Sequence, residues 1–325
     1  MARARTLKLP LLAALAAAIG WSAFTYPAIG QLTYNLASAA ESRLYGLHKE
    51  RVTVDGVPMV FYRSQGRNTG PNTGQHTGDA ILMLHGFSAD KDVWARFARH
   101  FTGNHQVIVP DLAGHGETGY QPDWKYSIPA QSERLVKLLD QLGVQRVHVI
   151  GNSMGGHLAA YFALHHPKRT LSAAMVDPAG LPQPHPSEME RMRAEGHNPF
   201  LFDTRAGFHR FYPMTMAQPP FMPGYVLDAI ADQYIARKAA LTQIFNESHQ
   251  PTDVSTRLGQ LRAPALIVWG KQDRLIDVSA AAVWQAALPQ AQVVLLDGIG
   301  HMPMVEAPAD TAKLYAAFID QAGTR

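Results

Sequence analysis

The sequence predicts an α/β fold in which a mostly parallel central sheet is covered by helices on both faces. First, six continuous apolar runs have the length of buried parallel strands: Ala80–Leu84, Val107–Val109, Val147–Ile150, Ala173–Val176, Ala265–Trp269 and Val293–Leu296. Second, helical patterns such as Ser132–Leu142 and Met154–His165 fall between these runs. Third, the length of 325 residues suits one large domain with an insertion.

Two segments come before the first of these runs. Residues 51–62 alternate in polarity around Asp55-Gly56, a dipeptide typical of tight hairpin turns. Residues 64–79 are rich in Gly, Asn and Thr and lack apolar periodicity, so we expect a surface loop there, without an assigned function.

The alternation of strands and helices stops between Leu181 and Leu261. Ser187-Glu188-Met189-Glu190 is a capping box that opens a short helix ending near Gly196, and Gly224–Phe245 has a longer helical pattern. We therefore predict a helical cap over residues 181–260, inserted between core segments 49–180 and 261–325. Soft apolar side chains are frequent in it: Met189, Met192, Met214, Met216, Met222, Phe200, Phe202, Phe208, Phe211 and Phe221.

The composition excludes several classes of function. The net charge is +3, and Arg3, Arg5 and Lys8 account for all of it, so the body is formally neutral and a nucleic-acid partner is not expected. The absence of cysteine excludes disulfides and thiolate metal sites. Because the sequence also lacks an H-E-x-x-H motif and a phosphate-binding loop, we expect no metal and no cofactor.

The N-terminus has the pattern of an export segment. Cationic residues precede the almost wholly apolar run Leu9–Ile29, and about 20 helical residues are enough to cross a bilayer core. We predict a transmembrane anchor over residues 1–30 in a bacterial inner membrane, with the body in the periplasm. The alternative is a signal peptide cleaved at Ala28-Ile29-Gly30 or Ala37-Ser38-Ala39, which would secrete the body.

Residues 31–48 form a second N-terminal segment. Leu32, Leu36, Leu44 and Leu47 recur at helical spacing, which predicts an amphipathic helix. Both a position along a membrane surface and packing on the body are compatible with this pattern. An anchor followed by such a helix also permits a homodimer.

Ser153 is the candidate nucleophile. Gly151-Asn152-Ser153-Met154-Gly155 matches the G-x-S-x-G pattern and lies directly between an apolar strand and a helical pattern. The sharp turn needs small residues beside the serine, because larger side chains would clash, and it presents the hydroxyl above the sheet edge at a helix N-terminus. This context makes the signal more specific than the pentapeptide alone.

A serine hydroxyl needs a base and a third group that orients the base. In sites of this kind the chain order is nucleophile, acid, histidine. Asp273 follows the strand that ends at Trp269, and His301 lies in the Gly-rich loop after the last strand. Both therefore lie after strand ends, where parallel sheets place their sites. Asp277 stays open as an alternative acid.

Donors for an oxyanion are expected from the backbone. His85-Gly86-Phe87 follows the strand that ends at Leu84, and we predict the N–H groups of Phe87 and Met154 as the pair. His85 is expected to brace this loop, and Asp111–Gly116 to shape the wall of the site.

Together these motifs resemble those of a known family. They comprise His85-Gly86-Phe87-Ser88-Ala89 with Lys91, Asp92 and Trp94, the Gly151–Gly156 turn, Pro178–Leu181, and Trp269–Asp273 with Asp277-Val278-Ser279. From about Leu44 onward the chain resembles the membrane-anchored monoacylglycerol lipases of animals and bacterial membrane-bound lipases and phospholipases A1. The resemblance implies an α/β-hydrolase fold, hydrolysis of lipid acyl esters without a cofactor, and a triad of Ser153, Asp273 and His301. A methionine-rich cap would suit a flexible acyl chain.

Two other functions stay open on the sequence. Carbon–carbon bond hydrolases of meta-cleavage products share the Gly-Asn-Ser-Met-Gly-Gly turn, and a hydrolase fold also occurs as a ligand-binding protein with little turnover. Haloalkane dehalogenase and epoxide hydrolase chemistry is disfavoured, because those enzymes have an aspartate where Ser153 stands.

Overall fold

The chain folds around one eight-stranded sheet. The computed structural model describes residues 8–64 and 79–323, with side chains from residue 26 onward. The strands are β1 (His48–Val54), β2 (Val57–Arg63), β3 (Ala80–Leu84), β4 (Gln106–Pro110), β5 (Val147–Asn152), β6 (Thr170–Val176), β7 (Ala265–Gly270) and β8 (Gln292–Leu296). Their order across the sheet is β1-β2-β4-β3-β5-β6-β7-β8. β2 pairs antiparallel with β1 and β4, and the other neighbours are parallel.

The predicted sheet and hairpin are confirmed. Each of the six apolar runs lies within one strand, and Asp55 and Gly56 form the hairpin turn with φ angles of 49° and 78°. The predicted surface loop falls almost entirely on residues 65–78, outside the described residues.

The helices are α1 (Lys8–Leu44), α2 (Ala95–Ala98), α3 (Ile128–Gln141), α4 (Met154–His165), α5 (Glu188–Ala194), α6 (Arg205–Phe211), α7 (Gly224–Ala236), α8 (Lys238–Ser248), α9 (Val254–Arg257), α10 (Ala280–Ala287), α11 (Pro303–Glu306) and α12 (Pro308–Gly323). α3 begins four residues before the predicted start, because Ser127 caps it by accepting from the Ala130 N–H and Pro129 fits its first turn.

Separate cores cover the two faces of the sheet. On β3, Leu82 and Leu84 belong to one core with side chains of α3, α4 and the cap. The alternate residues Ile81 and Met83 belong to the other core, with side chains of α2 and α12. Successive side chains of a strand point to opposite faces of the sheet, and both faces are buried. Apolar residues are therefore needed at every position, which is why the strands appear as continuous apolar runs.

The helical cap is inserted between β6 and β7, as predicted, and contains α5 to α9. The Ser187 Oγ accepts from the Glu190 N–H at 3.1 Å, so Ser187 caps α5 as the serine half of the predicted capping box, and α5 ends before Gly196, which has a φ of 84°. The segment predicted as one helix from Gly224 to Phe245 is instead two helices. They meet at Arg237, whose guanidinium donates to the Gly114 carbonyl at 2.6 Å.

The two predicted N-terminal segments form one helix, α1, which is continuous across residues 30 and 31. α1 packs on α7 of the cap, and the contact depends on Gly30, where a Cβ atom would lie 2.2 Å from the Tyr225 carbonyl oxygen. The predicted anchor falls largely on residues 1–25, whose side chains lie outside the described part. Within the described part, no helix combines the length and apolar character that crossing a membrane requires.

Candidate active site

Ser153 lies in a strained turn between β5 and α4. Its φ and ψ are 58° and −119°, which few residues other than glycine adopt, and its N–H donates to the Val176 carbonyl at 2.9 Å. A Cβ atom would lie 2.0 Å from the Gly155 oxygen if placed on Gly151, and 2.3 Å from the Leu84 oxygen if placed on Gly155. Both glycines are therefore required, because rigid backbone occupies the space that a side chain would need.

His301 and Asp273 form a buried hydrogen-bonded pair. The His301 Nδ1 lies 2.6 Å from the Asp273 Oδ2, and each residue is less than a tenth exposed. The other oxygen of Asp273 accepts from the N–H groups of Leu275 and Ile276 at 2.8 and 3.0 Å. The carboxylate is thereby fixed in position, and it selects the tautomer of His301 with the proton on Nδ1 and Nε2 free to act as a base.

The alternative acid is engaged elsewhere. The Asp277 Oδ1 accepts from the Ser279 N–H at 2.9 Å, just before α10. The structure therefore brings Asp273, and not Asp277, to the histidine.

One cavity joins the predicted site residues that come from distant parts of the chain. It has a volume of about 480 Å³, and Phe87, Ser153 and His301 all line it. The sheet order explains the juxtaposition. β3 lies between β4 and β5, so the loops after β3 and β5 start side by side at the carboxyl edge where the chain changes direction across the sheet.

The loop after β3 lies against the serine. A Cβ atom on Gly86 would lie 3.1 Å from the Ser153 Cβ, so a side chain at this position would press on the serine. Among the described residues, nothing accepts a hydrogen bond from the N–H groups of Phe87 and Met154. Both predicted oxyanion donors are therefore available to a ligand.

Buried polar groups brace this loop. The His85 Nδ1 donates to the Gly86 carbonyl at 2.8 Å, and its Nε2 accepts from the Leu112 N–H at 3.0 Å. Burial lowers the pKa of His85 to about 4, so the ring is neutral at pH 7 and retains both bonds. The bracing role predicted for His85 is confirmed.

Lys91 ties the same loop to the one after β4. Its Nζ lies 2.9 Å from both the Asp111 Oδ2 and the Glu117 Oε1. Burial opposes the charge of Lys91, but the neighbouring aspartates, Asp111 foremost, raise its pKa above the ordinary value. This pairing supports the predicted role of the Asp111–Gly116 loop in shaping the site wall.

Two buried residues beside the site are absent from the sequence prediction. The Asn152 Nδ2 donates to the carbonyls of His301 at 2.8 Å and Val176 at 3.2 Å. Asp177 directly follows β6 and accepts from the Gly270 N–H at 2.8 Å. The sequence signal for both is a polar residue at the end of an otherwise apolar strand.

Apolar residues of the cap line the rest of the cavity. They include six of the ten cap methionines and phenylalanines singled out by composition: Phe200, Phe208, Phe211, Phe221, Met216 and Met222. Met189 and Met214 lie in the core without lining the cavity. α1 contributes a further wall with Thr33, Tyr34, Ala37 and Ser38. The cavity therefore has a polar end at Ser153 and a long apolar extension under the cap.

This arrangement matches a family model described as the alpha/beta hydrolase fold over residues 79–308. The chain belongs to the α/β-hydrolase family. The match begins at β3 and includes Ser153, the cap, Asp273 and His301, so every predicted site residue of the hydrolase falls inside it. The predicted fold class is confirmed.

The relatives of the hydrolase are enzymes that act on lipids. It is 35% identical to Lipase 1 of Psychrobacter immobilis, over 74% of this chain and 77% of that protein. It is 30% identical to a monoacylglycerol lipase of Xenopus laevis, over 74% of this chain and 75% of that one. A solved membrane phospholipase A, described as a bacterial virulence factor, aligns over 98% of this chain and 99% of its own, with 33% identity and a TM-score of 0.84. The predicted resemblance and enzyme class, a carboxylic ester hydrolase, are confirmed.

Proposed function

We propose that this hydrolase cleaves acyl esters of glycerolipids, with Ser153 as nucleophile, His301 as general base and Asp273 as the acid that orients it. The observation that carries the proposal is the single cavity in which Ser153 and His301 meet a long apolar surface of the cap. An ester carbonyl at the polar end leaves room for a flexible acyl chain under the soft side chains of the cap.

The reaction follows from the geometry of the pair and the turn. The Nε2 of His301 takes the proton of the Ser153 hydroxyl as the oxygen attacks the ester carbonyl, and Asp273 stabilises the imidazolium through Nδ1. The N–H groups of Phe87 and Met154 hold the oxyanion. His301 then protonates the departing alcohol, and water activated by the same ring releases the fatty acid from Ser153.

Turnover of defined lipids tests the proposal. Detergent-solubilised protein is given monoacylglycerols, triacylglycerols, phospholipids and lysophospholipids of several chain lengths, and released fatty acid is measured. We expect Ser153→Ala to lower the rate by about 10⁶-fold, the cost of losing a serine nucleophile. The exposed serine of α9 provides the control, because Ser255→Ala should retain the wild-type rate.

The same panel decides between the candidate functions when a dienone meta-cleavage product is added. Release of fatty acid without dienone cleavage supports the proposal. Dienone cleavage without ester hydrolysis would identify a carbon–carbon bond hydrolase, and tight lipid binding without turnover a binding protein. Either result contradicts the proposed reaction.

We also propose that residues 1–30 hold the enzyme at a bacterial inner membrane with its catalytic domain in the periplasm. The cationic start and the apolar run Leu9–Ile29 support this location. Retention of the full chain in membranes washed with alkaline carbonate is the expected result, and its release would contradict the anchor. Self-association through the same segment stays a prediction, which sedimentation of the solubilised protein tests.

A further inference from the structure

Asp177 is a buried carboxyl group that the reaction as written does not use. It has no measurable exposure and directly follows β6 with a φ of 44°, a conformation that costs energy in most residues other than glycine. Because β6 pairs with β7, the end of β6 lies beside the loop that carries Asp273. The sheet thus places two carboxyl groups at adjacent strand ends.

The hydrogen bonds of Asp177 are incomplete unless the group carries a proton. The Oδ1 accepts from the Gly270 N–H at 2.8 Å, whereas the Oδ2 is buried with no donor among the described residues. Ligand atoms of Asp177, Asp273 and His301 all lie within 4.8 Å of one another. If Asp177 carries a proton on Oδ2, that oxygen becomes a donor, and the nearby Asp273 carboxylate can accept its hydrogen bond.

The electrostatics of the pair point the same way. Burial raises the pKa of Asp177 well above its ordinary value, and the negative charge of Asp273 raises it further. Ionising both carboxyl groups at this distance is unfavourable, and three N–H groups already donate to Asp273, whereas Asp177 has one donor. The proton therefore resides on Asp177.

Asp177, Asp273 and His301 are residue types that also bind metal ions, but the hydrogen bond between Asp273 and His301 uses atoms that a metal ion would need. The His301 Nδ1 and the Asp273 Oδ2 bond to each other at 2.6 Å, which occupies the atoms that would face an ion. A short donor–acceptor contact of this kind is what an orienting acid requires.

We infer that Asp177 is a positioning residue: as a neutral acid it donates a hydrogen bond to Asp273, and as a carboxylate it orients His301 when Asp273 is removed. In the wild type, its proton gives Asp273 a fourth donor and holds the carboxylate against the imidazole. Without Asp273, the negative charge that adds to the effect of burial is gone, and the space left by its carboxylate admits water to Asp177. Asp177 then gives its proton to that water and, as a carboxylate, accepts from the His301 Nδ1.

The inference rests on the proposed triad, and a cycle of variants separates the two. Hydrolysis of a short p-nitrophenyl ester is measured for Asp177→Ala and Asp177→Asn, each with Asp273 present and with Asp273→Ala. With Asp273 present, Asp177→Ala should lower kcat/KM by about tenfold. Asp177→Asn should recover most of it, because an amide both accepts from Gly270 and donates to Asp273.

In the Asp273→Ala background, Asp177→Asn should no longer be more active than Asp177→Ala. Asp273→Ala alone should cost less than the ~10⁴-fold typical of losing an orienting carboxylate, because Asp177 replaces it. There an amide cannot replace a charge, so Asp177→Asn should now lose about as much activity as Asp177→Ala, a further tenfold or more. Thermal unfolding of every variant checks that the fold is retained.

Each failure has its own signature. Full activity of the double variant Asp273→Ala with Asp177→Ala would overturn the triad and this inference together. Loss on Asp273→Ala, with Asp177→Asn changing kcat/KM by the same factor in both backgrounds, would leave the triad intact and overturn the role of Asp177.

Discussion

At the residue scale, the site depends on small groups held by rigid backbone. Ser153 keeps its unfavourable φ of 58° because Gly151 and Gly155 admit backbone atoms where side chains would clash. The spacing of these glycines could be read from the sequence, and so could the order of Ser153, Asp273 and His301. Each of these assignments depends only on local context after one strand.

The roles of Asn152 and Asp177 could not be predicted in this way. Asn152 donates to the carbonyl of His301, which is 149 residues away in the chain, and Asp177 acts on a loop that starts from the next strand. Their functions exist only after the sheet has placed β5, β6 and β7 side by side.

Asn152 provides a test at this scale. Asn152→Ala removes the bond that fixes the His301 backbone and leaves the His301 carbonyl without this donor, so we expect kcat to fall about tenfold with KM little changed, as small misplacements of catalytic groups do. Initial rates on a p-nitrophenyl ester measure this. Asn246→Ala, at an exposed position of α8, is the matched control. A raised KM with unchanged kcat would contradict a positioning role.

At the element scale, the cap and α1 shape the cavity above the carboxyl edge of the sheet. The cap was predictable because the alternation of strands and helices stops at its boundaries. The division of α7 from α8 was not, since it depends on a bond from Arg237 to the loop after β4. The cavity wall formed by α1 could not be predicted either, because the sequence was compatible both with packing of this helix on the body and with a position along a membrane surface.

The chain-length preference should respond to α7. Ile230 lines the cavity, so Ile230→Trp should fill part of the acyl space and lower kcat/KM for long-chain esters about tenfold more than for butyrate esters, since each buried CH₂ contributes about 0.8 kcal/mol. Rates on p-nitrophenyl esters with acyl chains of about four to about sixteen carbons measure this preference. Ala236→Trp, at the exposed end of α7, should leave it unchanged. An equal effect on all chain lengths would place the acyl chain elsewhere.

At the scale of the whole molecule, buried ionisable groups couple the stability of the fold to pH. Burial lowers the pKa of His157 to about 4, with the charge of His249 adding to the shift, and the His157 ring bonds to Thr252 at 2.7 Å. The unfolded chain binds this proton near pH 6.5, and the folded chain does so only near pH 4. The stability that neutral His157 contributes is therefore complete above pH 6.5 and lost as the pH falls toward 4.

A difference measurement isolates this contribution, because Asp90 has the opposite dependence: burial raises its pKa to about 8. The free energy of unfolding in urea is measured for the wild type and His157→Asn at pH 7.5 and pH 5. We expect the advantage of the wild type to shrink by about 2 kcal/mol at the lower pH. A difference between the wild type and His157→Asn that stays the same at both pH values would contradict the effect of burial on this ring.

In the whole fold, the loops after β3, β5 and β8 bring Phe87, Ser153 and His301 to one cavity, in which Ser153 is the proposed nucleophile. The most direct measurement is covalent labelling by a fluorophosphonate, followed by mass spectrometry of the digested protein. We expect one modified residue, Ser153, and labelling that is slowed in His301→Ala and abolished in Ser153→Ala. Labelling that persists in Ser153→Ala at the wild-type rate would contradict it.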